Sequence, residues 1–302
     1  MKRNTHPLAP SNWPLWLAFG ILRLTILLPY PVIMAIGRIT GRIIYQLAER
    51  RVKITRINIG LCFPELNAQE QEDLVRMHFE SVGMGLMEFG MGYWMPDRRL
   101  SKLIEYQGLE HIKTAFEAGK GVIFLTAHFT SLELSGLFLS WQAKYLPMYR
   151  PHENPVIQYF VKKHRSRRVA PPIPREDVRG VLKALKENRG VWFAPDQNYG
   201  HKGKIFATFF SQQAACNPAT SRFAKISGAS VVPYVLLRKE GDAGYKMLVE
   251  PMLKPFPTDD LIADTQQITD RMEAWIRSAP EQYNWMHRRF KTRPDGLESL
   301  YP

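Results

Sequence analysis

The sequence predicts an α/β protein whose central mixed sheet is flanked by helices, with an apolar helical segment at the N-terminus. Short runs rich in β-forming residues, such as 121–127 (GVIFLTA) and 190–194 (GVWFA), are too short for helices and are typical of buried strands. Helical patterns alternate with such runs between residues 110 and 235, which predicts a sheet covered by helices on both faces. A largely apolar stretch, residues 13–37, precedes them.

The amino-acid composition restricts the compartment and the partners. The chain has 302 residues, enough for one large or two small domains, and 45% of them are hydrophobic. Its formal net charge is +13, which favours anionic partners: a phosphorylated lipid, a membrane surface, an acidic protein or a nucleic acid. The two cysteines, Cys62 and Cys216, lack paired spacing, which argues against a disulfide framework or a thiolate metal site and fits a reducing compartment.

The N-terminal stretch, residues 13–37, contains Arg23 as its only charged residue. A bilayer crossing takes about 20 apolar residues. An arginine at the membrane centre costs about 2.5–3.5 kcal/mol, and Pro29 and Pro31 would break or kink a helix. The stretch therefore fits one tilted or kinked transmembrane helix, or a helical hairpin lying partly in one leaflet. A buried pair of core helices is the third arrangement.

The stretch does not resemble a cleaved signal peptide, because it is followed by positive charges and not by a small-residue cleavage site. They are expected to keep this side in the cytoplasm, against anionic headgroups. We therefore expect residues 1–45 to form a membrane anchor. The charged residues are Arg38, Arg42, Arg50, Arg51, Lys53 and Arg56.

Two helices are predicted between the anchor and the first strand. A basic helix covers about residues 42–60, and Asn67 followed by Glu70 is a capping box that opens the next helix. The second helix carries methionines and aromatic residues that either line an apolar tunnel or, as is more common, form ordinary core. His78 on the same helix is interpreted as structural. The tunnel candidates are Met77, Met84, Met87, Met91 and Trp94.

His128 lies where the strand at 121–127 ends and a helix begins. Thr130 and Glu133 have the spacing of a capping box, just ahead of further apolar residues, which predicts that helix start. Open α/β sheets bind ligands at the carboxyl ends of their strands, where backbone amides are exposed. The sequence therefore predicts a functional site around His128.

His128 and Glu133 together have the composition of a general-base pair. Residues five apart on a regular helix point about 140° apart, so the intervening turn is what lets the two side chains meet. A carboxylate beside one imidazole nitrogen fixes the tautomer, and the other nitrogen then accepts a proton, which contributes on the order of 10²–10⁴ in rate. The alternative is that Glu133 only caps the helix and His128 is a satisfied buried histidine.

Two further charged residues follow predicted strands. Arg150 ends a strand candidate at residues 146–149, and Asp196 follows the strand at 190–194. Asp196 is expected to bridge Arg165 or to orient a substrate hydroxyl. The alternative is an Asx turn closed by the Asp196 side chain.

A basic block at residues 162–168 contains five Lys or Arg residues, on a predicted helix that follows the strand ending at Arg150. Such runs are usually solvated, but this one is placed to reach the same end of the sheet. The guanidinium group of arginine can bind a phosphate through two parallel hydrogen bonds, so this block is a candidate phosphate-binding segment.

The rest of the chain continues the alternation of helices and strands. A strand is predicted at 229–237, and Pro233 within it suggests a sheet edge or a bulge. A further strand is expected at 245–250 and an amphipathic helix at 260–278. The basic C-terminal region around His287 is expected to face lipid headgroups or a phosphate.

Several of these motifs resemble a known family. The H-x4-D/E pattern is typical of glycerolipid-type acyltransferases. The segments that follow it here, in content and order, resemble the late acyltransferases of lipid A biosynthesis, the lauroyl/myristoyl transferases. The resemblance runs from about Asn58 to the C-terminus. Its motifs are AHFTSLELSG (127–136), MYRPHENP (148–155), KKHRSRR (162–168), WFAPDQNYG (192–200) and PEQYNWMHRRFKTRP (280–294).

The resemblance implies a glycerolipid acyltransferase-like fold, with residues 46–302 as the catalytic domain. It implies acyl carrier protein as the acyl donor and a phosphorylated, Kdo-bearing lipid A precursor as the acceptor. The acylated group would be the hydroxyl of an attached 3-hydroxyacyl chain. It also implies a functional role for Arg165 and a location at the bacterial inner membrane, with the active site on the cytoplasmic side.

The expected mechanism uses His128 as the base, Glu133 to hold the imidazole, and helix-start amides or Arg165 to stabilise the developing oxyanion. Arg150 and Asp196 are expected to support substrate binding. No metal or organic cofactor is expected, because His and carboxylates do not cluster at ligand spacing.

The sequence features have three rival interpretations. One is acyl transfer to another glycolipid or a glycerolipid, and another is a non-catalytic membrane-binding protein. The third, a nucleic-acid binder, is disfavoured because the basic residues lie beside apolar runs and no nucleic-acid fold motif occurs.

Overall fold

The computed structural model describes residues 6–149, 154–168, 173–174 and 176–301. The helices are α1 (Trp13–Thr25), α2 (Tyr30–Leu47), α3 (Glu49–Cys62), α4 (Ala68–Trp94), α5 (Asp97–Leu100), α6 (Glu110–Glu117), α7 (Leu132–Ser140), α8 (Pro155–Arg168), α9 (Val178–Lys186), α10 (Ala219–Ser227) and α11 (Leu261–Ser278). The strands are β1 (Ile104–Gln107), β2 (Val122–Leu125), β3 (Tyr145–Tyr149), β4 (Ile173–Pro174), β5 (Gly190–Phe193), β6 (Ile205–Phe209), β7 (Gln212–Cys216), β8 (Ser230–Arg238) and β9 (Tyr245–Val249).

The central sheet has seven strands in the order β1-β9-β8-β2-β5-β3-β4. All neighbouring strands are parallel except β8 and β9, so the sheet is mixed and the predicted fold class is confirmed. Strand β2 is buried along its whole length, as its uninterrupted apolar run predicts. Strands β6 and β7 form a separate antiparallel hairpin that the sequence analysis did not predict.

The two N-terminal helices differ in how they contact the rest of the molecule. Helix α1 has no buried residue, whereas α2 packs closely along α4. Glycines allow the close approach, because a Cβ atom at Gly41 would lie 2.1 Å from the Phe79 carbonyl oxygen. A Cβ atom at Gly83 would lie 2.1 Å from the Gly37 carbonyl oxygen.

Among the described residues, no helix combines the length and the hydrophobicity that a bilayer crossing requires. The single transmembrane helix expected as one alternative is therefore not found there. The apolar stretch is instead divided between α1 and α2 at residues 26–29, next to the prolines that were expected to interrupt it.

The predicted start of α4 is confirmed. The Asn67 side chain accepts hydrogen bonds from the backbone of Gln69 and Glu70, and the Glu70 carboxylate accepts one from the Asn67 N–H at 2.8 Å. His78 on the same helix is buried, with Nδ1 3.2 Å from the Glu281 carbonyl oxygen. Burial lowers the pKa of His78 to about 4, so its imidazole is neutral at physiological pH.

Two local predictions are wrong. Ser131, rather than Thr130, is the N-cap of α7, and no side chain caps this helix, because the Thr130 hydroxyl is hydrogen-bonded to Ser81 and Arg238. Of the two alternatives for Pro233, a sheet edge or a bulge, the edge is wrong, because β8 is a central strand. Residues up to 233 pair with β2 and residues from 234 onward pair with β9. The proline therefore sits where one ladder ends and the other begins.

Candidate active site

The candidate site lies at the carboxyl ends of β2 and β5, which are parallel neighbours in the sheet. The Thr126 N–H donates to the Phe193 carbonyl at 3.1 Å and extends the pairing past the end of β2. His128 lies three residues after the end of β2, and Asp196 lies three residues after the end of β5. The two side chains therefore meet at the edge where open α/β sheets bind ligands.

Asp196 makes two hydrogen bonds to His128. The imidazole Nδ1 is 2.6 Å from Asp196 Oδ1, and the His128 backbone N–H donates to Oδ2 at 3.0 Å. The His128 side chain is 24% exposed and the Asp196 side chain 2% exposed. The carboxylate is thus fully covered, while part of the imidazole reaches the surface.

This contact corrects the predicted pairing at Nδ1. The sequence analysis gave the steadying role to Glu133, whereas the carboxylate bonded to that nitrogen is Asp196. The Glu133 Oε2 atom instead accepts a hydrogen bond from the Tyr93 hydroxyl at 3.3 Å. The physical reason is the sheet, which joins two strand ends that are distant in sequence. The Asx-turn alternative does not describe Asp196, because its side chain is hydrogen-bonded to His128 and the Asn198 N–H donates to His287 instead.

The two groups change each other's protonation. Burial lowers the pKa of His128, but the charge of Asp196 and its hydrogen bond outweigh burial, and the pKa is raised above the ordinary histidine value. Burial raises the pKa of Asp196, but the charge and hydrogen bonds of His128 outweigh it, and the pKa lies well below the usual carboxyl range. The arrangement therefore favours an ionised Asp196 and a more basic His128.

A C-terminal segment holds the His128 loop from the other side. The Asn284 N–H donates to the His128 carbonyl at 3.0 Å, and the Thr130 N–H donates to the Gln282 carbonyl at 2.8 Å. His287 lies nearby and accepts from the Asn198 N–H at Nε2, at 3.0 Å. Burial lowers the pKa of His287 to about 4, which fits its role as a neutral acceptor.

A buried ion pair supports the same loop and was missed by the sequence analysis. Arg238, at the end of β8, donates to both Glu88 carboxylate oxygens, at 2.6 and 2.7 Å. It also donates to the Thr130 hydroxyl at 2.9 Å and the Ser81 hydroxyl at 2.6 Å. The Tyr245 hydroxyl donates to Glu88 at 2.8 Å. The signal that could have found it is an arginine as the last residue of a buried apolar strand.

The other predicted site residues are only partly described. Arg150 lies outside the described residues. The backbone of Arg165 belongs to α8, but its side chain lies outside the described part of the structure, as do the other side chains of the basic block at 162–168. Among the residues that the structure describes, no group of three or more His, Cys, Asp or Glu side chains is placed to hold a metal ion.

The geometry supports proton transfer at one imidazole nitrogen. Since Nδ1 of His128 is bonded to Asp196, Nε2 is the ring nitrogen left for proton exchange. The Trp192 ring lies edge-to-face with the imidazole, with ring centroids 6.3 Å apart. Ring orientation and tautomer are thus both set by the surrounding protein.

The chain is similar over nearly its whole length to known bacterial acyltransferases. The family model for bacterial lipid A biosynthesis acyltransferases matches residues 1–292. The chain is 40% identical to the lipid A biosynthesis lauroyltransferase of Escherichia coli K12, covering 99% of this chain and 98% of that one. It is 39% identical to the palmitoleoyltransferase of the same organism over the same shares, and 27% identical to its myristoyltransferase over 97% and 93%.

Among solved structures, the crystal structure of the 1-acyl-sn-glycerophosphate acyltransferase of Thermotoga maritima matches with a TM-score of 0.38 and 14% identity, covering 77% of this chain and 97% of that one. By its match to the family model and its identity to these relatives, the chain belongs to the bacterial lipid A biosynthesis acyltransferases, and it is an acyltransferase.

Proposed function

We propose that this enzyme moves a fatty acyl chain from a thioester to a hydroxyl of a lipid A precursor, with His128 as general base. The observation that carries this mechanism is the Asp196 hydrogen bond to Nδ1 of a partly exposed imidazole. His128 Nε2 takes the hydroxyl proton as the oxygen bonds to the thioester carbonyl carbon. The tetrahedral intermediate then breaks its C–S bond, and the imidazolium returns the proton to the leaving thiolate.

We propose acyl carrier protein as the donor and a phosphorylated, Kdo-bearing lipid A precursor as the acceptor, acylated on the hydroxyl of an attached 3-hydroxyacyl chain. Support comes from the net charge of +13, since both substrates are anionic. It also comes from the relatives, which are named lipid A biosynthesis acyltransferases.

We propose supporting roles for Glu133, Arg165 and Arg150, as the sequence analysis predicts. Glu133 lies in the first turn of α7, five residues after His128, where its charge would further raise the basicity of the imidazole. Arg165 and Arg150 would bind phosphate or support the oxyanion, because arginine remains charged and bonds oxyanions in a bidentate manner. Asp196 acts by orienting His128.

We also propose attachment to the cytoplasmic face of the inner membrane through residues 1–45, with residues 46–302 as the catalytic domain. The support is a row of exposed apolar side chains on α1 and α2 that would otherwise face water. They are Trp13, Leu17, Ile21, Leu24, Ile39, Ile43 and Leu47, each between 54% and 79% exposed.

The deciding experiment incubates membranes containing the protein with acyl carrier protein loaded with different chains and a tetra-acylated, Kdo-bearing precursor. The proposal expects a product heavier by one acyl chain, absent with membranes of the His128→Ala variant. A parallel reaction offers a glycerolipid acceptor instead. Acylation of that lipid alone would favour the alternative, an acyltransferase for another glycolipid or a glycerolipid, and near-normal turnover by His128→Ala would remove the proposed base.

A further inference from the structure

A small cavity is lined by Asp196 but not by His128. Its volume is about 10 Å³, close to the space that one water molecule needs. Two buried groups of opposite charge line it, Asp196 and Arg289, each only 3% exposed. The remaining lining residues are Pro195, Phe209, Cys216, Asn217, Thr265, Ile268, Thr269 and Met272.

Arg289 has one buried donor that the described protein groups leave unmet. Its Nη1 donates to the Ala215 carbonyl at 2.8 Å and its Nη2 donates to the Cys216 sulfur at 2.9 Å. Its Nε has no hydrogen-bond partner and is shielded from bulk solvent. An unmet donor on a buried cation is costly, so such groups normally find a partner.

Asp196 is the acceptor that shares this cavity. Both side chains are described, and they form no direct ion pair within 4.0 Å of each other, although both line the same small space. Although burial opposes it, neighbouring groups that include Cys216 and Asp196 raise the pKa of Arg289, so the guanidinium stays charged. Tyr283 is a further titratable group here, in electrostatic contact with both Asp196 and Arg289. The Arg289 Nε–H still lacks an acceptor, so the cavity favours a bridging group that both accepts and donates.

We propose that one buried water bridges these groups, accepting a hydrogen bond from Arg289 Nε–H and donating one to the Asp196 carboxylate. A water suits the site better than an anion, because Asp196 would repel an anion in the same cavity. The nearby hydroxyls of Thr265 and Thr269 offer further partners, and buried waters typically make about three hydrogen bonds.

This assignment makes Arg289 a positioning residue for the reaction, and in this respect it rests on the proposed function. Arg289 would hold the Asp196 carboxylate through the bridging water. His128 Nδ1 and the His128 backbone N–H hold the same carboxylate through direct hydrogen bonds. Arg289 would also keep Asp196 ionised. The positive charge of Arg289 opposes protonation of both members of the pair, which limits how far the basicity of His128 rises.

The first test is a high-resolution crystal structure of the unmodified protein. We expect an ordered water within hydrogen-bonding distance of both Arg289 Nε and an Asp196 oxygen. A dry cavity, a bound anion, or a direct Arg289–Asp196 ion pair would each overturn the assignment. This result does not depend on the activity assay.

The second test compares the pH-rate profiles of Arg289→Met and Arg289→Lys. Removing the charge should move the acid limb, where His128 becomes protonated, toward higher pH by roughly half a unit or more. The Lys variant should restore most of the original position. Arg271→Met is the matched control, since Arg271 forms a 3.0 Å ion pair with Glu250 and is 45% exposed.

Folding is followed in the same samples by circular dichroism. A purely structural role would lower the folded fraction and the maximal rate but would leave the pH of the acid limb unchanged. An unmoved limb in folded Arg289→Met protein would therefore contradict the positioning role. Failure of the proposed base would be seen separately, as activity retained by His128→Ala.

Discussion

The Asp196 carboxylate is hydrogen-bonded to both the side chain and the main chain of His128, through Oδ1 at 2.6 Å and Oδ2 at 3.0 Å. The imidazole is thereby fixed in position, in ring orientation and in tautomer. Proton transfer depends on all three, so in the proposed mechanism the carboxylate acts through His128.

Asp196→Asn should reduce kcat on the order of 10²–10⁴-fold, because an amide neither stabilises the imidazolium nor enforces the same tautomer. The fold should persist, since Asn nearly preserves the shape of the side chain. Initial rates and thermal melts measure the two effects separately. Asp270→Asn on the exposed side of α11 is the control, and a variant at Asp196 that retains full turnover would exclude the orienting role.

The activity should depend on pH through the raised pKa of His128. The base must be neutral, so kcat/KM should rise as the pH passes upward through that pKa, above the ordinary value of 6.5. In Asp196→Asn the acid limb should move to lower pH, because the charge that raises the pKa is gone. If the acid limb of kcat/KM does not move in Asp196→Asn, a group other than His128 determines it.

The stability contributed by this pair should be largest between pH about 4 and 6.5. The folded pKa of His128 is raised above 6.5, so its contribution is complete below 6.5 and is lost as the pH rises through the folded value. The folded pKa of Asp196 is depressed below 3.8, so its contribution is present above 3.8 and is lost as the pH falls through the folded value. The difference in Tm between the parent and Asp196→Asn, measured across pH, should peak in this window.

Arg238→Met should destabilise the protein by about 3–5 kcal/mol, because it leaves Glu88 charged, buried and unpaired. The double variant Glu88→Leu/Arg238→Met should recover part of this loss. Urea unfolding measures both. Arg42→Met, which breaks the surface pair with Glu80, is the control and should cost no more than about 1 kcal/mol.

Gly83→Ala should destabilise the contact between α2 and α4, because the added methyl would lie 2.1 Å from the Gly37 carbonyl oxygen. Gly20→Ala in α1 meets nothing within 4 Å and should be neutral or stabilising by about 0.5–1 kcal/mol. Thermal melts of the two single variants give the comparison. Equal Tm values would show that the helices separate easily.

The sequence predicted each half of the site but not their pairing. His128 and Asp196 were both found, because each follows a short apolar strand that is visible locally. Their contact depends on β2 and β5 being neighbours, which is a property of strand order and not of any local pattern. Glu133 was chosen as the partner because it is close in sequence, and the Arg238–Glu88 pair was missed because its members are far apart in sequence.

The same limit explains the errors in the fold. Strand β4 has two residues, too few to show a pattern, and the polar residues of β7 hid the hairpin with β6. Pro233 suggested a sheet edge or a bulge because its missing N–H argues against a regular central strand. The proline is tolerated in this central strand because the pairing of β8 with β2 ends at residue 233 and its pairing with β9 begins at residue 234. Only the tertiary structure defines these limits.

The main-chain hydrogen bonds that join Gln282 and Asn284 to the His128 loop have a consequence for biogenesis. The ribosome makes the strands that carry His128 and Asp196 well before it makes this segment. A nascent chain stalled before residue 282 would lack the main-chain contacts that set the loop, so acylation competence should arise only late in translation.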